Sequence, residues 1–154
     1  MLGRVPHPYS REDALAWLTL SPFGLILNGR EAFAITVRGK GLIGMMGLDE
    51  QEGAVRFGYW LAPPFWSRGY ASEAGRAVVD LAFSVFDPDA LVADYYIDNP
   101  ASGRVLEKLG FAPAGPVAPH PCLARGTDVP AQPMALDRQV WWVRTRHDRP
   151  ALAS

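Results

Sequence analysis

The chain has 154 residues and a single cysteine, Cys122. An internal disulfide framework is therefore excluded, and such sparse use fits a reducing compartment. Long apolar runs are equally scarce. No stretch approaches the roughly 20 apolar residues that a membrane-crossing helix needs. The opening Met1-Leu2-Gly3-Arg4-Val5-Pro6-His7-Pro8 lacks the apolar centre of an export signal. Neither sign of charge is in excess: 15 Lys and Arg oppose 16 Asp and Glu, for a formal charge of −1. That balance excludes bulk nucleic-acid binding through phosphate neutralisation, but leaves room for a small local basic site for a phosphorylated ligand. His7, His120 and His147 stand far apart without metal-ligand spacing. These absences lead to the expectation of a soluble, cytoplasmic protein with no metal, no membrane partner and no nucleic-acid partner.

What is present is enough to build a core. Apolar residues make up 49% of the chain and aromatic residues 11%, so a disordered chain is not expected. The length suggests one domain over 1–154. Gly and Pro residues cluster in 112–133, which predicts an irregular connection there.

Ser10, with Asp13 three positions on, predicts a helix start, and Leu15, Trp17 and Leu18 give the helix over 11–20 its apolar side. Strands are expected over 31–37, 42–48 and 53–61. The last alternates cleanly: Val55, Phe57, Tyr59 and Leu61 share one face, with Arg56, Gly58 and Trp60 on the other. Short links make these three strands antiparallel. A helix over 71–85 follows from the spacing of Ala74, Val78, Leu81, Ala82 and Val85. A strand over 90–97 comes next, then a helix opened by Asn99 or Pro100 and ended by Gly110. A last strand is expected over 134–143, with Trp141 and Trp142 on opposite faces of the sheet. The fold class is α/β, with one central sheet.

Two segments carry chemistry. The first, Gly58-Tyr59-Trp60-Leu61-Ala62-Pro63-Pro64-Phe65-Trp66-Ser67-Arg68-Gly69-Tyr70-Ala71-Ser72, runs from a strand through a turn into a helix. The first N–H groups of a helix have no internal partner, and the helix dipole there favours negative charge. Small residues such as Gly69 and Ala71 let a pyrophosphate approach them. Arg68 can add a charge-assisted contact, and Ser72 a further donor. Alone, such a pattern is as well explained by a turn before an ordinary core helix. The second segment begins thirty positions after Gly69: Asn99-Pro100-Ala101-Ser102-Gly103-Arg104-Val105-Leu106-Glu107-Lys108-Leu109-Gly110-Phe111.

Together these segments closely resemble the GNAT acyltransferases, and within them the group typified by ribosomal-protein alanine N-acetyltransferases. The group has a Gly-Tyr-Trp-Leu strand, an aromatic-rich loop ending in Arg/Lys-Gly-Tyr-Ala, and an Asn-x-x-Ser-x-x-Val-Leu-x-x-x-Gly-Phe element. The resemblance is strong over 58–112, and Pro8-Tyr9 through Trp17 also fits. It implies a GNAT-like mixed sheet flanked by helices, with acetyl-CoA as cosubstrate in a V-shaped opening between strands 53–62 and 90–97. It implies that backbone groups of Tyr59, Trp60 and Leu61 pair with the pantetheine amides. The pyrophosphate would rest on the N–H groups of Arg68, Gly69, Tyr70, Ala71 and Ser72, and Asn99 would hold the pantetheine arm.

Acetyl transfer needs a neutral amine, a polarised thioester carbonyl and a stabilised or protonated thiolate. Many GNAT enzymes use a Tyr in the Asn-led helix as the acid. That position is Leu106 here, which cannot donate a proton. Ser102 is the remaining candidate, as in the subgroup that uses Ser at this place, by hydrogen bonding to the thiolate or by protonating it. The alternative is that Ser102 only caps its helix, a role also open to Asn99. Tyr95 and Tyr96 point to opposite faces, so one of them at most lines the pocket. Asp94 and Asp98 are either amine-facing groups or a solvated strand end, and Glu73 reads as a first-turn helix carboxylate. Cys122 has no surrounding signature for a covalent role. The tail 144–149 is basic but short, and reads as a solvated end.

One departure stands out. The family's usual N-terminal strand and helix, about 20 residues, are missing on this reading. The strand over 31–37 is then left with an open edge, a pairing hazard. A second copy of the chain can cover it, as a homodimer, or the edge can stay polar and open; a mis-assigned start is the other explanation. The expected activity is acetyl transfer to a primary amine, on a protein N-terminus or a small molecule, with loops 21–30 and 114–130 setting the acceptor. The opposing class is a GNAT-like module that binds acyl-CoA without turnover.

Overall fold

A computed structural model describes residues 10, 12, 30–51 and 53–146. The helix expected over 11–20 lies outside the described residues except for Glu12, which is helical. Pro8 and Tyr9, loop positions 21–29 and the tail beyond Arg146 also lie outside them.

Strands β1 (Arg30–Val37), β2 (Gly41–Gln51) and β3 (Ala54–Leu61) form the expected antiparallel meander. Helix α1 (Tyr70–Leu81) continues as a π turn over Ala82–Phe86, and left-handed Asp87 ends it. Then come β4 (Ala90–Tyr96) and α2 (Pro100–Leu109). The order is completed by β5 (Ala112–Pro113), β6 (Ala118–Cys122), β7 (Thr127–Asp137) and α3 (Arg138–Thr145). The mixed sheet runs β1-β2-β3-β4-β7-β5, with β6 also on β7. Among the described strands, β3 and β4 are the one parallel pair. Among the described residues β1 is an end strand of the sheet.

The alternation read in β3 decides where the core sits. Phe57 is buried, its ring 5.7 Å from Phe111 and 6.0 Å from Tyr59. Ile43, Met46, Leu91, Leu106, Met134 and Leu136 complete this core almost without exposure. Each such side chain stabilises the fold by about 1.5–3 kcal/mol on burial.

The structure corrects two expectations. The segment over 112–133 is not an irregular connection: it holds β5, β6 and most of β7. Its prolines fit because a strand residue without an N–H still offers its carbonyl. Pro130 accepts from the Ile97 N–H at 3.1 Å and Pro133 from the Ala114 N–H at 2.9 Å. Second, the expected strand over 134–143 ends at Asp137 and becomes α3. Arg138 ties that turn down, its guanidinium bonding both the carboxylate and the carbonyl of Asp87. Trp141 then stacks on Phe83 with ring centroids 4.9 Å apart and donates to Asp80 at 2.6 Å. Trp141 is 6% exposed and Trp142 49%. The pair does divide into inward and outward members, but across a helix rather than a sheet.

Candidate active site

The parallel pair β3–β4 is in register only at Val55↔Leu91 and Arg56↔Val92. Beyond those residues the strands part. On its other side β3 stays paired with β2 to the end, with Tyr59, Trp60 and Leu61 opposite Met46, Met45 and Gly44. The result is an opening whose walls are the last residues of β3 and of β4. At its base the Arg56 guanidinium pairs with Asp94, so Asp94 is an ion-pair partner and not a bare strand-end carboxylate.

The loop leaving β3 is organised by aromatic residues. A 3-10 turn covers Pro63–Phe65, and the Trp66 indole N–H donates to the Leu61 carbonyl at 2.7 Å. The Phe65 and Tyr70 rings meet edge-on at 6.3 Å. Ser67 (φ 58°) and Gly69 (φ 86°) both take the left-handed conformation and turn the chain into α1. Gly69 caps α1 by its backbone alone. The Glu73 N–H bonds the Gly69 carbonyl at 2.9 Å. The amides of Tyr70, Ala71 and Ser72 precede that bond and lack intrahelical acceptors. A Cβ at Gly69 would meet nothing within 4 Å, so the space beside these amides is open. Arg68 is exposed beside it, whereas Ala71 and Ser72 are buried.

The opposite wall ends in α2. Asn99 caps this helix: its side-chain oxygen accepts from the Ser102 N–H at 3.3 Å, and its carbonyl accepts from the same N–H at 3.0 Å. The cap is thus Asn99, and the Ser102 hydroxyl is left for other work. That hydroxyl meets the Tyr59 phenol, whose O–H donates to Ser102 Oγ at 3.1 Å. Burial pushes the Tyr59 phenol above its usual value of 10; the Ser102 hydroxyl opposes this only by turning to donate to the ionised oxygen. Sequence reasoning assigns Tyr59 a backbone role and misses its side chain. The signal was available, since the alternation puts Tyr59 on the same face as Phe57, toward the helices.

Tyr95 and Tyr96 divide as expected. The Tyr95 ring lies over Gly103, where an added Cβ would come within 2.7 Å of its Cζ. Tyr96 faces the other way, into a small cluster with Cys122, Val129 and Ala131. Its O–H donates to the Pro121 carbonyl at 2.9 Å, and burial pushes the phenol up to about 12. Asp98 pairs with Arg125 at 2.6 Å, which holds its carboxyl below the usual aspartate value. Leu106 is 2% exposed and belongs to the core.

The profile of the family described as "Acetyltransferase (GNAT) domain" matches residues 1–112. The chain belongs to the GNAT acetyltransferase family. Among its relatives is the uncharacterized N-acetyltransferase YoaA of Bacillus subtilis, 36% identical over 75 residues, which is 49% of this chain and 42% of that protein. YdaF of the same organism, named as a ribosomal N-acetyltransferase, is 30% identical over 91 residues, 58% of this chain and 49% of that protein. The match thus spans half or less of these curated GNAT relatives. In fold, the chain is similar to the spermidine N-acetyltransferase of Vibrio cholerae solved with CoA and spermine. The TM-score is 0.72 at 18% identity, over 87% of this chain and 79% of that one. No helix among the described residues is long and apolar enough to cross a membrane.

Proposed function

We propose that the protein moves an acetyl group from acetyl-CoA to a primary amine, a protein N-terminus or a small molecule. The observation that carries this reading is the parting of β3 from β4 after Arg56 and Val92, with the uncapped start of α1 at one lip. The residues present fit a diphosphate-bearing thioester. The open edge of β3 can take up the amides of an extended ligand through the backbone groups of Tyr59 and Leu61; those of Trp60, in step with Ala62 whose N–H bonds the Ile43 carbonyl, face β2. The N–H groups of Gly69, Tyr70, Ala71 and Ser72, with Arg68 and its own N–H, suit a diphosphate. The Leu61 carbonyl already accepts from Trp66, so its second lone pair is the one left for a ligand. Asn99, its oxygen occupied by the cap, offers its carboxamide nitrogen to the pantetheine arm. When bound, the donor supplies an activated acetyl group on a thiol leaving group. Ser102 is the group on this chain suited to hydrogen-bond that sulfur.

The single buried cysteine agrees with a reducing, cytoplasmic setting. The outer position of β1 agrees with a homodimer that covers its edge. One finding favours the second reading, a module that binds acyl-CoA without turnover: Leu106, at the position where the resemblance to GNAT enzymes implies an acid, is core. A coenzyme-release assay over polyamines, amino sugars and short peptides separates the two. Acetyl transfer predicts release with at least one amine, depressed in Ser102→Ala. Binding of CoA by calorimetry without release for any amine would favour the module.

A further inference from the structure

We propose that Tyr59 is a positioning residue for Ser102: its phenol fills one lone pair of the serine oxygen and so aims the serine's own proton into the opening between β3 and β4. The two hydroxyls come from opposite walls, 43 positions apart in the chain, and meet at 3.1 Å. A serine hydroxyl has one proton and two lone pairs. Left alone near a helix start it can turn back to a carbonyl one turn earlier. With the Tyr59 proton on its oxygen, that freedom is reduced, and the polarised Oγ–H becomes a stronger donor. The Tyr59 ring is held at 6.0 Å from Phe57, so the phenol does not have to find its place during the reaction. Burial keeps it protonated at neutral pH, as a donor must be.

The inference rests on the acetyl-transfer reading. In that reaction the amine nitrogen bonds the acetyl carbon and the carbon–sulfur bond breaks, its electron pair staying on sulfur. The nitrogen gives one proton to water. The thiolate is held by the Ser102 proton and ends as a thiol by taking one proton from water, matching the one the nitrogen released. Atoms and charge balance with no further reactant.

The test is Tyr59→Phe, which keeps the ring and the backbone of β3. Turnover number is expected to fall on the order of 10- to 100-fold with KM for acetyl-CoA unchanged. The Tyr59→Phe/Ser102→Ala double variant should be no slower than Ser102→Ala alone, because the two hydroxyls act as one unit. A second readout needs no turnover. Wild type should bind CoA more tightly at about pH 9.5 than at about pH 7, as the thiol ionises, and Tyr59→Phe should lose that gain while binding equally at pH 7. Should Tyr59→Phe fold poorly, Tyr59→Met supplies the second arm: a flexible apolar side chain can fill the same space, it too lacks the phenol, and it should show the same fall in turnover and the same loss of the alkaline gain. Full turnover in Tyr59→Phe, losses that multiply in the double variant, or an alkaline gain that survives the phenylalanine would each overturn the proposal. If wild type releases no coenzyme with any amine, the acetyl-transfer reading falls instead, and the CoA-affinity arm still decides the hydroxyl pair.

Discussion

The starts of α1 and α2 face each other across the same opening and are built in opposite ways. The start of α1 has a left-handed glycine and no side-chain cap, so among the described residues its first amides are left without a cap. The start of α2 is closed. Pro100 has no N–H to offer, and Asn99 takes that of Ser102. A bare start is a place for an anion, because unpaired donors and the dipole act together. A satisfied start is a rigid mount for a side chain. On the proposed reading the family segment divides its labour: one helix would hold the donor by main chain, and the other would present a hydroxyl.

Substitution at Gly69 attacks that division most directly. Gly69→Glu should abolish CoA binding by calorimetry, since it adds negative charge and strain where an anion is expected. Gly69→Ala separates the two causes. Its methyl would meet nothing within 4 Å, so only the φ of 86° opposes it, at about 1–2 kcal/mol. Measurable CoA binding in the alanine variant, with none in the glutamate variant, would assign the larger share to charge. Unchanged affinity in Gly69→Glu would remove the phosphate role from this loop.

The closed start predicts a separation of activity from stability. Ser102→Ala should lower turnover about 100-fold; made in the Tyr59→Phe background, where no phenol is left without its partner, it should change unfolding free energy by no more than about 0.5 kcal/mol, because Ser102 contributes only its backbone to the cap. Asn99→Ala should cost about 1 kcal/mol in denaturant unfolding by removing that cap. If Ser102→Ala in that background were more destabilised than Asn99→Ala, the roles assigned to the two residues would be reversed.

Gly103→Ala tests the mount itself. A methyl there would lie 2.7 Å from the Tyr95 ring, and overpacking of this kind costs about 1–3 kcal/mol. The variant should melt at a lower temperature and keep its affinity for CoA, since the loop at Gly69 is untouched.

Strand, loop and helix over 54–109 were legible because local signals there agree with the tertiary structure. Phe57 and Tyr59 alternate with Gly58 and sit on the buried side; Gly69, Asn99, Pro100 and Gly110 stand at helix ends. The stretch over 112–146 was misread because its signals conflict. Pro130 and Pro133 read as loop, but serve in a strand through their carbonyls. Val140-Trp141-Trp142-Val143 reads as strand by propensity. Its helix is imposed by long-range contacts, Arg138 to Asp87 and Trp141 to Phe83 and Asp80, which local patterning does not contain. The site was half legible for a related reason. The turn at Gly69 is marked by local residues, whereas the phosphate role proposed for it comes from the family resemblance. The meeting of Tyr59 with Ser102 depends on the angle at which two strands part, which no spacing encodes.

The smallest expected effect concerns Asp98, immediately ahead of the α2 cap. The Arg125 hydrogen bond holds its carboxyl below the usual value of 3.8. A depressed folded-state value means that the stabilisation is complete above the unfolded-state value and disappears as pH falls through the folded-state one. The pair is exposed, so the effect is modest. Asp98→Asn should melt slightly below wild type at neutral pH, with the gap closing as pH drops below about 4. A gap that stays constant down to the acid limit would mean that the carboxylate charge does not secure this end of the opening. Packing around Asn99 would then account for the closed start by itself.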